Sequence, residues 1–267
     1  MRVVKPKKFL GQHFLKDLKV AQDIADTVDA CPNLPILEVG PGMGVLTQFL
    51  LPKERTVKVV EVDYESVAYL REAYPQLEDN IIEDDFLKMN LQRLFDGQPF
   101  VLTGNYPYNI SSQIFFKMLD NKELIPCCTG MIQKEVAERM SAKPSTKDYG
   151  AITVLCQYYT EPSIVANVPA SLFVPPPKVD SAVLKLKVLD KPSVEVKDEG
   201  VFFRVVKAAF SQRRKTLLNC LSANFPIPKD EISTLLESIG IAPSRRGETL
   251  SLKEFANIAD TLLQKIK

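Results

Sequence analysis

Tryptophan is absent from the 267 residues, and His13 is the only histidine. One histidine, with no Cys/His/Asp cluster at metal-ligand spacing, excludes the usual zinc centres, and none of the residues is assigned to a metal. Nor does any motif support a Ser-His-Asp hydrolase. The five cysteines form no C-x-x-C pair, and Cys127 and Cys128 are adjacent. All five are expected to be reduced thiols, mostly small core hydrophobes, in a cytoplasmic protein. No apolar run approaches the roughly 18 residues that a membrane span needs. The start, MRVVKPKKFLGQHF, is basic but has no apolar stretch or small-residue cleavage site, so no secretion signal and no membrane partner are expected.

What is present is an ordinary globular composition, 45% hydrophobic and 25% charged, which excludes disorder as the main state. The length suits one large domain or two modest ones. A net charge of +1 hides segregation. Residues 1–20 hold six cations, Arg2 and Lys8 among them, against Asp17 alone. Residues 201–220 hold five cations, Arg204, Lys207, Arg213, Arg214 and Lys215, and no acid. Residues 61–85 hold nine acids against Arg71. Two basic blocks fit either solvated faces or the footprint of a phosphate backbone.

Along the first two thirds, helix-period stretches alternate with short Val/Ile-rich runs. Strands are expected at 36–39, 57–62, 81–82, 100–103 and 127–133, and helices at 17–30, 45–51, 65–74, 110–119 and 135–141. That rhythm predicts an α/β fold with a parallel sheet covered on both faces. Two further strand-like runs, 163–168 and 181–188, flank Pro175-Pro176-Pro177 and suit an antiparallel pair. Composition shifts near Asp190-Lys191-Pro192-Ser193, and helical patterns follow at 201–211, 214–223, 229–239 and 251–266. The expected division is an α/β domain over 1–190 and a small C-terminal helical domain over 191–267.

Chemistry concentrates where the strands end. Glu38-Val39-Gly40-Pro41-Gly42-Met43-Gly44 follows a strand and precedes a helix, so the backbone can turn sharply and a ligand can approach closely. Val45 stands where a dinucleotide fingerprint has its last glycine, a spacing suited to a nucleoside without phosphates, such as S-adenosylmethionine. Glu61, ending the next strand, can accept from ribose hydroxyls, and Asp85, after the third, from an adenine amino group. The fourth strand runs into Asn105-Tyr106-Pro107-Tyr108. Adenine N6 is a poor nucleophile, because its lone pair is delocalised. A site that methylates it needs acceptors for the amino hydrogens and a flat clamp. Asn105 and the carbonyl of residue 106 supply the first, and Tyr108 the second; Phe173, before three prolines, either adds a second aromatic face or plugs the sheet edge.

Four stretches occur in order: Phe9-Leu10-Gly11-Gln12-His13-Phe14-Leu15, Glu38 to Gly44, Asn105 to Ser111, and Phe173 to Ser181. With Phe210 to Asn219, they resemble the ribosomal RNA adenine N6-methyltransferase family, which includes the bacterial 16S dimethyltransferases and the 23S resistance enzymes. The resemblance spans nearly the whole chain. It implies a class I S-adenosylmethionine-dependent methyltransferase with a Rossmann-like sheet. The C-terminal helices would bind RNA, and the protein would act as a monomer on 16S rRNA of the 30S subunit or its precursor. It implies cofactor contacts at His13, Leu15, Gly40, Gly42, Glu61, Asp85 and Asn105, and target-base contacts at Asn105, Tyr108 and Phe173. One departure is Tyr106, where the family usually has Leu. Since residue 106 is assigned a backbone role, activity is expected to survive the change.

Three rival readings remain at this point. A 23S adenine methyltransferase is disfavoured by the basic C-terminal module and the Phe173–Ser181 stretch. A non-catalytic ribosome-assembly factor is disfavoured by Asn105, Tyr108, Glu61 and Asp85. A nicotinamide dehydrogenase is disfavoured by Val45 and the Asn105 tetrad.

Overall fold

The computed structural model describes residues 4–266, so Arg2 of the first basic block lies outside the described residues. In chain order the elements begin with β1 (Phe14–Leu15), α1 (Leu18–Asp26), β2 (Ile36–Val39), α2 (Thr47–Leu50), β3 (Val57–Glu61), α3 (Tyr64–Ala73) and β4 (Ile81–Glu83). Next come β5 (Val101–Asn105), α4 (Ser111–Asp120), β6 (Cys127–Gln133), α5 (Lys134–Met140), α6 (Ala151–Tyr159), β7 (Thr160–Val168), β8 (Phe173–Val174) and β9 (Ser181–Val188). The chain closes with α7 (Glu199–Ala209), α8 (Leu217–Ser222), α9 (Lys229–Ser238) and α10 (Leu252–Ile266).

Seven strands form one sheet in the order β4-β3-β2-β5-β6-β9-β7. The first five are parallel, as their Val/Ile-rich and almost wholly buried central strands predict. β9 joins β6 antiparallel, from Cys127 opposite Lys187 to Gln133 opposite Ser181. β1 and β8 make a separate antiparallel pair in which Leu15 faces Phe173. Because β2, β3 and β5 run in parallel, Val39, Glu61 and Asn105 end at one edge of the sheet.

The chain divides into two compact units, though not at residue 190 alone. One contains the chain to Ala137 and Glu161–Val188. The other contains Glu138–Thr160 and Leu189–Lys267. The expected boundary near 190 is present, but the segment 138–160 belongs with the helical unit. Its apolar side chains decide this. Tyr149, Val154 and Tyr158 are buried in one cluster with Phe202, Val205, Leu221 and Phe255. The Tyr158 ring lies 4.7 Å from that of Phe202, and the Tyr149 hydroxyl donates to the Leu250 carbonyl at 2.8 Å. Reading contiguous blocks of sequence cannot detect a helical unit that borrows a segment from across the 28 intervening residues 161–188.

The cysteine expectation also needs correction. Cys31 and Cys127 are joined in a disulfide, with Cα atoms 5.8 Å apart and a separation of 96 positions in sequence. The turn after α1 packs beside the first residue of β6, a proximity that spacing does not encode. Cys128, Cys156 and Cys220 lie outside the disulfide and are buried, as expected for small core residues.

Candidate active site

The glycine-rich turn after β2 opens the site. Gly42 has φ +55°, and a Cβ there would sit 3.1 Å from the Phe14 ring. Its N–H donates to Glu61 Oε2 at 3.1 Å. Glu61 Oε1 accepts from the N–H groups of Val62 (2.9 Å) and Asp63 (3.0 Å). Burial pushes the Glu61 carboxyl up, and the three N–H donors oppose that shift. Glu61 thus ties the turn after β2 to the end of β3 before any ligand arrives.

Two further carboxylates flank it. Glu38, on β2, is buried and accepts from Thr47 Oγ1 at 2.6 Å. Burial, aided by the charge of Glu61 and opposed by the Thr47 hydroxyl, pushes Glu38 up to about 8. The group is therefore mostly protonated at neutral pH. Asp85 lies beyond β4, where Oδ1 accepts from the Leu87 N–H at 3.0 Å and Oδ2 pairs with Lys88 at 3.2 Å. The wall that Asp85 and Leu87 form is held from α4. Lys117 Nζ donates to the carbonyls of Leu87 (2.9 Å) and Met89 (2.6 Å) and lies 5.5 Å from the Phe86 ring centre.

At the end of β5, Asn105 Nδ2 donates to the His13 carbonyl at 3.0 Å, which leaves Oδ1 as the acceptor of that side chain. Tyr108 stacks on His13, with ring centres 5.3 Å apart and planes 29° apart. The Tyr108 hydroxyl hydrogen-bonds Ser181 Oγ, and burial raises its pKa. His13 Nδ1 meets the Pro175 carbonyl at 2.8 Å. The arm before β1 is pinned again at Asp63, which pairs with Lys7 at 2.5 Å and accepts from Gln12 Nε2 at 3.2 Å. Burial opposes ionisation of Asp63, but these partners, with Ser66 and the Glu65 N–H, hold its carboxyl below the usual range.

Tyr106 points the other way. Its ring is buried edge-on to Phe115, 5.7 Å between centres, and its hydroxyl donates to the Thr129 carbonyl at 3.2 Å. Gly130 makes the room, since a Cβ there would lie 2.5 Å from Tyr106 Cε2. The departure from Leu at 106 is thus absorbed in the core.

These elements enclose a cavity of about 220 Å³. Its lining includes His13, Leu15, Gly40, Gly42, Glu61, Asp85, Asn105 and Tyr108, so eight of the nine expected site residues come together. Phe173 does not line it. At 1% exposure its side chain packs with Leu15, Ala21, Ile24 and Met131, so in this conformation it plugs the core and offers no face to a base. The aromatic partner of Tyr108 is His13 instead. Among residues that the sequence leaves without a role, Glu38 stands inside the glycine motif and Gln12 inside the Phe9–Leu15 stretch, whereas Asp63 and Lys117 have no motif to mark them. Among the described residues, no group of three or more His, Cys, Asp or Glu side chains could hold a metal ion.

A family model described as "Ribosomal RNA adenine dimethylase" matches residues 3–264. The chain belongs to that family. It is 62% identical to the ribosomal RNA small subunit methyltransferase A of Bacteroides fragilis, over all of this chain and 96% of that one. It is 51% identical to the protein of the same name from Porphyromonas gingivalis, over 98% of this chain and 99% of that one. Among solved structures, a dimethyladenosine transferase from Plasmodium falciparum superposes with TM-score 0.76 at 26% identity, covering 95% of this chain and 98% of that one. The 23S rRNA methyltransferase ErmE gives 0.71 at 29% identity, covering 94% and 100%. The family match and both solved structures span the α/β unit and the helical unit, and the fold is that of class I S-adenosylmethionine-dependent methyltransferases.

Proposed function

We propose that this protein transfers methyl groups from S-adenosylmethionine to N6 of two adjacent adenosines near the 3′ end of 16S rRNA, each becoming dimethylated, in the assembling 30S subunit. The observation that carries the reading is the orientation of Asn105. With Nδ2 held by the His13 carbonyl, Oδ1 is the free acceptor beside a cavity that the glycine turn, Glu61 and Asp85 also line.

The cavity fits the cofactor by the chemistry of its lining. Two carboxylates at successive strand ends suit a ribose diol and an adenine amine, and the Gly40–Gly42 turn leaves space for the methionine portion. Bound there, S-adenosylmethionine supplies an electrophilic methyl group on sulfonium. Asn105 Oδ1 and the Tyr106 carbonyl accept the two amine hydrogens, which lets N6 pyramidalise and present its lone pair. Tyr108 gives the adenine a flat surface, backed by His13. With the cofactor in place, N6 would take the methyl carbon as the sulfonium gives up its bond to it, and the amine proton would then leave to solvent. No strong base is needed, because the sulfonium is a reactive donor and the proton can leave after transfer.

On the helical unit, Lys147, Arg213, Arg214 and Arg246 line one depression, and Arg213 is 3.7 Å from Glu248. These cations are assigned to RNA phosphates, and the protein is taken to act as a cytoplasmic monomer. Identity of 62% to a small-subunit enzyme, against 29% to a 23S enzyme, favours the 16S substrate.

The test is labelled methyl transfer to unmethylated 30S subunits, with 50S subunits and naked rRNA alongside, and mass spectrometry of the product nucleotides. Dimethyladenosine confined to 30S is expected. Label in 23S rRNA would move the substrate to the large subunit. RNA binding without label would leave an assembly factor.

A further inference from the structure

Beyond the Arg213 depression, the helical unit has a second open cleft, of about 510 Å³, between α7 and the turns that follow it. That volume is within the range of small-ligand pockets, about 300–1,000 Å³. Arg204 and Lys207, one turn apart on α7, stand at its rim with Phe210, Ser211 and Asn224, and no carboxylate lines it.

The polar groups are already arranged. The Arg204 guanidinium lies 4.4 Å from the centre of the Phe225 ring, and Nη2 donates to the Asn224 carbonyl at 2.9 Å. A guanidinium has five N–H donors, so most remain for an anion. Ser211 Oγ donates to the Ala208 carbonyl at 2.7 Å. Asn224 Nδ2 donates to the Cys220 carbonyl at 2.8 Å, which leaves Oδ1 to accept from a ligand. Phe210 is half-buried and braced by Tyr149 and Phe255, at 6.1 and 5.8 Å between ring centres.

We infer that this cleft takes one unpaired nucleotide of the RNA, its phosphate on Arg204 and Lys207 and its base or sugar against Phe210 and Asn224. Two cations with no acid select an anion. An apolar ring and an oriented amide beside them add what a nucleotide carries and inorganic phosphate lacks. The inference rests on the reading of the chain as an RNA methyltransferase. It assigns a contact apart from both the methyl-transfer cavity and the Arg213 depression.

The experiment measures affinity for unmethylated 30S subunits, the substrate the proposed function names, across a salt series. The proteins are the wild type, Lys207→Glu, Arg204→Gln with Lys207→Gln, and Asn224→Ala. Arg213→Glu serves as reference. Melting curves and calorimetric binding of S-adenosylmethionine check each fold. The charge variants should bind 30S subunits about 5- to 20-fold more weakly, with the salt slope reduced by about one per cation lost. Asn224→Ala should weaken binding with the slope unchanged. All should keep wild-type cofactor affinity. Lys207→Glu with wild-type affinity and slope, while Arg213→Glu binds weakly, would overturn the cleft assignment alone. A wild type that does not bind 30S subunits would overturn both readings. Adenosine monophosphate bound at the cleft, with 30S affinity indifferent to Lys207, would assign it to a free nucleotide and overturn the inference.

Discussion

The side-chain amide of Asn105 donates to the backbone carbonyl of His13 at 3.0 Å, which joins the end of β5 to the arm before β1. The contact sets which end of the amide is an acceptor. It also makes the reactive geometry depend on an arm held elsewhere by Lys7 and Gln12 on Asp63. Asn105→Ala should cut methyl transfer by about 100-fold or more, the scale seen when one oriented polar group is removed at a reacting centre. RNA affinity should not change. Asn105→Asp should lose activity as well, since it replaces the donor facing the His13 carbonyl by a charged acceptor. Single-turnover methylation and a filter-binding titration separate these effects, and wild-type turnover in either variant would remove Asn105 from its role.

Glu38 gives a pH signature. Its carboxyl is held at about 8 in the folded protein by burial, well above the usual carboxylate value near 4.5. Between those values the folded state keeps a proton that the unfolded state releases. Stability therefore falls as pH rises through that window, by at most about 1.4 kcal/mol per pH unit. Glu38→Gln keeps an acceptor for Thr47 and removes the titration. The wild type should lose melting temperature more steeply than the variant between pH 5.5 and 8.5. Parallel curves would place Glu38 in a more solvated site.

The sheet and most of the site could be read in the sequence because both depend on local pattern. β6 is expected over the seven residues it occupies, a run bounded by Pro126 and Lys134. Glu61 and Asn105 were legible because they end strands. The remainder is long-range. Lys117 holds the Asp85 wall across 28 to 30 residues of sequence, and Asp63 receives Lys7 across 56. Phe173 is a related case. An aromatic before three prolines suits a base clamp equally well as a core plug, and only its pairing with Leu15 decides between them.

The Cys31–Cys127 bridge can be counted. Alkylation of the oxidised protein after unfolding, without reductant, should add three labels, at Cys128, Cys156 and Cys220, and five after reduction. Replacing both bridged cysteines by Ala should lower stability by about 2–4 kcal/mol, because a long loop is no longer closed in the unfolded chain. Five labels before reduction would return all the cysteines to the thiol form.

Tyr106 tests whether its position serves the reaction through backbone or side chain. Its ring fills space opened by Gly130, and its hydroxyl satisfies the Thr129 carbonyl. Tyr106→Leu removes that hydrogen bond and leaves the space part-filled, so stability should fall by about 1–3 kcal/mol. The residue's own carbonyl stays where it is, because its N–H remains bonded to the Met131 carbonyl at 3.0 Å. Methyl transfer measured well below the melting range should therefore stay within about threefold of wild type. The two readouts move apart only under a backbone role. A tenfold loss of kcat in a protein that melts normally would instead place the phenol in the reaction, and would make this tyrosine a determinant of which adenosine the cavity accepts.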